Sequence, residues 1–443
     1  MSPSRTQRRL FRALCSAPVF LGLLAPALEA QSWLQQNRES GRLMTAVKPI
    51  PQWAVNGTKA LMSANKGAAS AAGLPISIFF TESPRDFLGY TGVIVGRDPF
   101  NGGGNVSVPT YIVPLIITTN TVATGLDSNG HYITEPGVTT FDPTLGDNAC
   151  LTAPNNVPLT LLRQSPLFEN ATFNFGGTEV GTTQYTDAFQ RAQFWQALGD
   201  AVDGYHTLLQ PVVLAPVTIN VPANRGLARP AELPGGATRC GPHARVDIDW
   251  FDTYLNNVVL PALASQGVAP ANLPVFVGSN TVWTVGTATD PGNCCIGGYH
   301  SGTFTIPIQT YSVGDFDSLQ LFGVGSLDSV ILSHELAEWM NDPFVNNFTP
   351  AWGNTGQVVN ACQNNLEVGD PLTGLEAPRI AMPNGYTYHL QELAFFSWFF
   401  GAPSVGLNGW FSNNGTFLTD AGPVCQSSTT SSTAKSNAKW IIR

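Results

Sequence analysis

The chain has 443 residues, a formal net charge of −9 and 12% charged residues, roughly half the share of about 25% found in typical globular proteins. This length fits one large domain or two ordinary ones. No basic patch stands out in this acidic sequence, so nucleic acid is not an expected partner. The 44 glycines and 33 prolines indicate many turns and short strands.

The first thirty residues have the layout of an export signal. Four arginines between positions 5 and 12 precede an apolar stretch from Ala13 to Leu24, and small residues follow up to Ala30. A secretory signal peptide has this order, so removal of residues 1–30 and secretion are predicted. The adjacent arginines at 8 and 9 leave twin-arginine export open beside the ordinary route. No segment reaches the roughly 20 apolar residues that span a bilayer.

Six cysteines remain after the predicted cleavage: Cys150, Cys240, Cys294, Cys295, Cys362 and Cys425. An even number in an exported chain indicates disulfide bonds. Because Cys294 and Cys295 are adjacent, each is expected to pair with a different distant partner. A cysteine-ligated metal is the alternative, but no C-x-x-C spacing supports it.

Residues 31–235 are predicted to form a β-rich N-terminal region. The β pattern covers Leu74–Phe80, Val108–Thr119, Leu159–Leu162 and Val212–Val221. Pro114 indicates that its strand lies at a sheet edge or contains a bulge. One helix is expected from Thr186 to Leu209.

Residues 236–425 follow a Pro/Gly-rich linker and are predicted to form a second domain. The sequence predicts helices at Thr253–Ser265, Ser326–Asn341 and Tyr388–Phe400, and strands at Leu273–Val277 and Phe304–Val313. Residues 426–443 are Ser/Thr-rich and lack the apolar residues that packing needs, so a disordered tail is expected. The predicted fold class is α+β, a β-rich region followed by a domain with a buried helix beside a mixed sheet.

The helix at Ser326–Asn341 carries the sequence His334-Glu335-Leu336-Ala337-Glu338. At about 100° per residue, His334 and Glu338 lie about 40° apart on one face, and Glu335 lies on their flank. Apolar residues occupy the other side, so the helix is apolar nearly all round, which is typical of burial. Ser326 is the expected N-cap, and Pro343 is expected to end the helix.

The charges on this buried helix need compensation. An unpaired buried carboxylate is strongly unfavourable, and a divalent cation removes that cost. His334 and Glu338 present two ligands to one point, as the two histidines of H-E-x-x-H do in zinc peptidases. Glu335 then lies where a general base for water belongs. The alternative is a structural His–Glu pair satisfied by backbone or arginine.

A catalytic zinc site needs a third protein ligand and an open position. Leu366-Glu367-Val368-Gly369-Asp370 supplies two candidates, of which Glu367 is the first choice and Asp370 the second. Asp342 projects to the same helix face, but an aspartate before Pro343 is an ordinary helix end.

Three further residues are weaker candidates. The strand Phe304–Val313 is expected at a sheet edge that binds extended peptide by main-chain pairing. His300 and Tyr311 could face that cleft or be structural. His389 could be a catalytic transition-state donor or a core histidine.

These residues resemble a known group of proteins. Ser333–Pro343 (SHELAEWMNDP) followed by LEVGD at 366–370 resembles secreted bacterial proteins that are similar to zincin-like metallopeptidases. A fainter similarity is to EXORDIUM-like phosphate-induced extracellular proteins. The resemblance covers roughly 246–417 and implies a zincin-like domain. It also implies His334 and Glu338 as ligands, Glu335 as base, and Glu367 or Asp370 as third ligand. Glu338 stands where standard zincins have a second histidine.

The function expected from the sequence is a secreted hydrolase that uses one zinc ion, most simply a metallopeptidase acting on extended peptide or protein. The alternative is a non-catalytic extracellular protein that binds carbohydrate or cell wall. Aromatic residues in Asn/Gly-rich loops support that alternative, because such residues stack on sugars; they are Trp352, Trp410 and Phe411.

Overall fold

The computed structural model describes residues 73–234, 238–303, 307–322, 325–353, 362–377 and 379–419. The predicted signal peptide and the Ser/Thr-rich tail lie outside these residues, so both stay predictions. Within the described ranges, no helix has the length and apolar character needed to cross a membrane.

A mixed sheet of eleven strands forms the centre of the fold, and its path of eight strands is nearly closed. The strands of the chain are β1 (Ile76–Glu82), β2 (Gly89–Val95), β3 (Asn105–Leu126), β4 (Tyr132–Phe141), β5 (Ala171–Phe175), β6 (Thr178–Thr183), β7 (His206–Val213), β8 (Val217–Val221), β9 (Gly226–Arg229), β10 (His243–Asp247), β11 (Leu273–Ser279), β12 (Thr281–Thr284), β13 (Cys294–Ile296), β14 (Gly298–Gly302), β15 (Thr310–Phe316), β16 (Phe348–Gly353), β17 (Cys362–Asn365), β18 (Ile380–Ala381) and β19 (Thr387–Tyr388).

The helices are short except for the one that carries the motif. They are α1 (Pro158–Arg163), α2 (Tyr185–Gln193), α3 (Trp195–Leu198), α4 (Ile248–Tyr254), α5 (Leu260–Ser265), α6 (Val330–Asn341) and α7 (Phe396–Phe400). A π-helical turn at Leu255–Val259 joins α4 to α5, which agrees with the predicted helix at Thr253–Ser265. The mixed sheet and the buried helix agree with the predicted α+β class.

Strand β3 is the central strand of the sheet. The sequence predicts an edge or a bulge at Pro114; the edge is wrong, and the pairing register shifts by one residue opposite Pro114, as it does at a bulge. β3 pairs in parallel with β11 on one side, and on the other with β7 and then β8. Pro114 falls between the stretches that pair with β7 and with β8, where its missing N–H leaves no ladder bond unmade on that side. Strands from both sides of the predicted 235/236 boundary therefore share one sheet, and the domain division itself stays a prediction.

Two predictions in the N-terminal half are wrong. Leu159–Leu162 lies in helix α1, which Pro158 begins at its first turn. The predicted helix Thr186–Leu209 holds only for its first part, because Gly199 adopts a positive φ of 51°. A 3₁₀ turn follows, and the chain from His206 becomes strand β7 beside β3.

The predicted helix Tyr388–Phe400 is also mostly wrong, since only α7 at its end is helical. The backbone groups ahead of α7 bond to distant segments instead of to each other. Leu390 accepts from Ala377 N–H at 2.8 Å, Glu392 N–H donates to Leu375 at 2.9 Å, and Ala394 N–H donates to Val368 at 2.8 Å. Tertiary hydrogen bonds therefore override an apolar pattern that favours a helix.

Helix α6 is confirmed as a buried helix. Each of its twelve residues is buried, and it packs on β14 and β15. Its N-cap is Ser329 instead of Ser326, and it ends at Asp342 before Pro343 as predicted. The strand ahead of it is not an edge strand, because β15 lies between β11 and β14. β14 ends the strand order and is buried along its length.

The expectation of disulfides is confirmed for Cys150 and Cys240, which are bonded across 90 residues of sequence. The sulfur atoms of Cys294 and Cys295 lie beside each other, and their pairing with distant partners stays a prediction. Cys425 and the side chain of Cys362 lie outside the described residues.

Replacing both Cys150 and Cys240 by alanine should lower the free energy of unfolding by about 2–4 kcal/mol, because the long closed loop restricts the unfolded chain. Urea unfolding of the oxidised wild type and the double variant measures this difference. Equal midpoints and equal slopes would contradict a structural role for the bond.

Candidate metal centre

Glycines on the sheet allow helix α6 to lie close to it. A Cβ on Gly297 would lie 2.7 Å from Ile331, one on Gly298 would lie 2.7 Å from Cγ of Glu335, and one on Gly314 would lie 2.6 Å from Leu332. Real Cβ atoms do not come this near to other heavy atoms, so side chains here would push the helix away. The glycines therefore bring the acidic side of α6 against β14.

Six ionisable side chains meet at this contact, and each is at most 2% exposed. They come from three parts of the chain: His300 on β14; His334, Glu335 and Glu338 on α6; and Glu367 and Asp370 in the segment after β17. Two groups of three have atoms within 4.8 Å of one another and could hold a metal ion. These are His334, Glu338 and Asp370, and His300, Glu338 and Glu367.

The ring of His334 is oriented by a hydrogen bond on its far side. Gln391 donates from Nε2 to the carbonyl of Gly369 at 2.6 Å, so its Oε1 is left to accept from Nδ1 of His334 at 3.0 Å. In a neutral ring, Nε2 would then carry the lone pair. Nε2 lies 2.9 Å from Oε1 of Glu338 and 3.6 Å from Oδ1 of Asp370. A lone pair facing two carboxylates needs a cation or a proton between them.

His300 repeats this arrangement on the other side of Glu338. Its Nε2 lies 3.1 Å from the carbonyl oxygen of Asp342, which can only accept, so Nε2 carries the proton. Nδ1 lies 3.6 Å from Oε2 of Glu335 and 3.7 Å from Oε2 of Glu338. Burial lowers the pKa of His300 to about 4. The ring is therefore neutral at pH 7, and its lone pair also faces carboxylates.

The carboxylates are compensated unequally, since Glu367 accepts a hydrogen bond from Asn365 whereas Glu335 has none. Both oxygens of Glu335 are buried without a hydrogen-bond partner, and burial raises its pKa well above the usual range. Burial, followed by the charge of Glu338, likewise raises the pKa of Glu367. Burial alone would lower the pKa of His334, but Glu338 raises it to about 10. Without a metal, a proton on His334 thus supplies the missing positive charge.

Three sequence candidates lie elsewhere. The carboxylate of Asp342 accepts from the N–H groups of Asn346 and Asn347, each at 3.0 Å, and so supports the turn after α6. His389 lies outside any helix and outside both groups of three, with Nδ1 2.7 Å from Asp328. Tyr311 donates to Asp252 at 2.6 Å, which is a structural role.

The structure therefore brings together five of the predicted residues, His334, Glu335, Glu338, Glu367 and Asp370, and adds His300. The sequence left His300 open as either a cleft or a structural residue. Its only local signal is the Gly297-Gly298 pair shortly before it, which allows the strand to lie against α6.

Comparison of the chain with protein-family models, curated proteins and solved structures gave no match. The resemblance to zincin-like metallopeptidases therefore stays a prediction, and the site is interpreted from its own geometry.

Gly369→Ala should weaken metal binding by about 10–100-fold, the usual cost of disturbing groups that orient ligands. A Cβ on Gly369 would lie 2.5 Å from Nδ1 of His334, and the Gly369 N–H supports Glu338 at 3.1 Å. Its φ of −84° suits alanine, so only the contact changes. Competition with a chromophoric chelator measures the affinity.

Gly204→Ala is the matched control, because a Cβ there would meet nothing within 4 Å. It should leave the affinity unchanged. Equal metal affinity for Gly369→Ala and wild type would show that the ring of His334 does not set the site.

Proposed function

We propose that this chain is a secreted metal-dependent hydrolase, most simply a zinc metallopeptidase with a zincin-like core. The observation that carries the proposal is Nε2 of His334 facing Glu338 and Asp370, beside Glu335, whose carboxylate has no hydrogen-bond partner. A buried polar cluster of this kind is costly unless something compensates it, whereas a metal-dependent hydrolase needs these groups.

The residues present fit a zinc ion. Zinc in proteins takes histidine nitrogen and carboxylate oxygen, and catalytic sites use three protein ligands. His334, Glu338 and Asp370 would hold it, which makes Asp370 the third ligand in place of the first choice, Glu367. A zinc ion there would polarise a carbonyl group and make water acidic near neutral pH.

Glu335 is assigned the proton transfers. It takes a proton from water as the water oxygen attacks the carbonyl carbon of the peptide bond. It then gives this proton to the amide nitrogen as the C–N bond breaks, so the carboxylate is regenerated. Burial raises the pKa of Glu335, which brings a carboxylate nearer the neutral range in which a general base works best.

The substrate class rests on the H-E-x-x-E pattern, which supports an extended peptide or protein. Main-chain pairing with the sheet is not part of the proposal, because β14 is buried along its length. The Cys150–Cys240 bond supports export, since disulfides persist in oxidising compartments.

The carbohydrate-binding alternative loses support in the structure. The ring of Trp352 is fully buried and contacts Trp398 and Phe399 edge-on, with ring centres 5.7 and 5.2 Å apart. Phe411 is 8% exposed. Neither ring offers a free face for a sugar, so both are core residues, whereas Trp410 is only partly buried and remains as support for this alternative.

Glu335→Gln and His334→Ala should fail in different ways. Glu335→Gln keeps the shape of the side chain and removes the base, so metal should be retained while turnover falls by about 10²–10⁴-fold. His334→Ala removes a ligand, so both metal and thermal stability should fall, because metal-binding energy is also folding energy. Elemental mass spectrometry, thermal unfolding and cleavage of a peptide library measure the three quantities.

The matched control is His243→Ala, since His243 is also a buried histidine but lies on β10 outside the cluster. It should keep the metal. A wild-type chain that is metal-free, stable and insensitive to chelators would end the proposal, as would full activity of Glu335→Gln.

A further inference from the structure

The two groups that could hold a metal share one residue, Glu338. Its two oxygens face different histidines: Oε1 lies 2.9 Å from Nε2 of His334, and Oε2 lies 3.7 Å from Nδ1 of His300. A carboxylate whose two oxygens face ring nitrogens of two different histidines has the arrangement of a ligand that bridges two metal ions. In hydrolytic sites with two metals the ions lie about 3.5–4 Å apart, a separation that one carboxylate can bridge.

We infer that the cluster is a two-metal centre, in which His334 and Asp370 hold one divalent ion, His300 and Glu367 hold a second, and Glu338 bridges them. This inference rests on the metal site of the proposed function and adds a second position to it. Each position has one imidazole and two carboxylate groups, a mixed nitrogen and oxygen set that suits zinc or manganese.

The charge of the cluster supports two ions over one. Glu335, Glu338, Glu367 and Asp370 together carry four negative charges when ionised, and both imidazoles contribute lone pairs. When all four are ionised, one divalent cation matches only two of these charges, so without a second cation the other two groups must take up protons to remain in a region at most 2% exposed. Two divalent cations balance all four. Within the described residues, Glu335 and Glu367 both face the ring of His300, Glu335 at 3.6 Å from Nδ1 and Glu367 at 4.0 Å from Nε2.

The second position also faces a buried carboxylate oxygen that has no hydrogen-bond partner. Oε2 of Glu335, fully buried and without a hydrogen bond, lies 3.6 Å from the unprotonated Nδ1 of His300. The ring of His300 cannot turn its proton toward this oxygen without losing the bond to the Asp342 carbonyl. The pair therefore needs a cation, or a proton on Glu335, between its two facing atoms.

The experiment counts ions on the purified full chain after removal of metal with a chelator and reloading with Zn²⁺. Elemental mass spectrometry should find two zinc ions per wild-type chain. His300→Ala and His334→Ala should each hold one, and Glu338→Ala should lose both. His243→Ala, the buried-histidine control, should keep two. Glu367→Gln preserves side-chain shape, so it tests the second position even if His300→Ala does not fold.

Loading with Mn²⁺ gives a second readout, because a carboxylate-bridged pair shows the EPR spectrum of coupled ions instead of isolated ones. One zinc per wild-type chain, unchanged in His300→Ala and Glu367→Gln, would overturn the second position and leave the proposed hydrolase standing. Two bound ions without cleavage that depends on Glu335 would overturn the proposed hydrolase and leave the two-metal centre standing. No bound ion would overturn both.

Discussion

The central constraint on this structure is that four carboxylates and two imidazoles lie together in a region that is at most 2% exposed. Such a cluster would repel itself apart unless the surrounding chain held it and a cation compensated it. The sheet glycines at 297, 298 and 314 bring α6 close, and Gln391 fixes one ring. These features are costly or unnecessary for a purely structural core, but each is needed if the lone pairs and carboxylates are to point at shared ions.

The N-terminal half supports the site although it supplies none of its ligands. β3 lies between β11 and the strands β7 and β8, so the sheet under α6 cannot form without it. Helix α2 packs on α6, where Gln193 donates to Asn341. Tyr185 donates to the carbonyl of Gln391, the residue that orients His334. Loss of residues 73–234 would therefore remove the central strand of the sheet and the contact that holds Gln391 beside His334.

The sequence predicted the site better than the fold around it. Burial of α6 and convergence of His334 and Glu338 follow from helical spacing alone. His300 could not be assigned, because its approach depends on long-range strand pairing of β14 with β15. The same limit explains the failed helix at Tyr388–Phe400, whose backbone bonds to distant segments. Long-range pairing also decides the position of Pro114. A proline fits in this central strand because it lies between the stretches of β3 that pair with β7 and with β8.

In a site with one ion, Glu338 would lower the Lewis acidity of the metal. With a carboxylate in place of the second histidine of standard zincins, a single zinc ion would be held by two anionic ligands, and more donated charge makes the ion a poorer Lewis acid. A bridging role changes this balance, because a carboxylate shared between two cations gives each of them less charge. The geometry of Glu338, with one oxygen toward each histidine, therefore links the departure from the zincin pattern to the presence of His300. A carboxylate at this position can offer one oxygen to each ion, which a neutral histidine with a single lone pair cannot do.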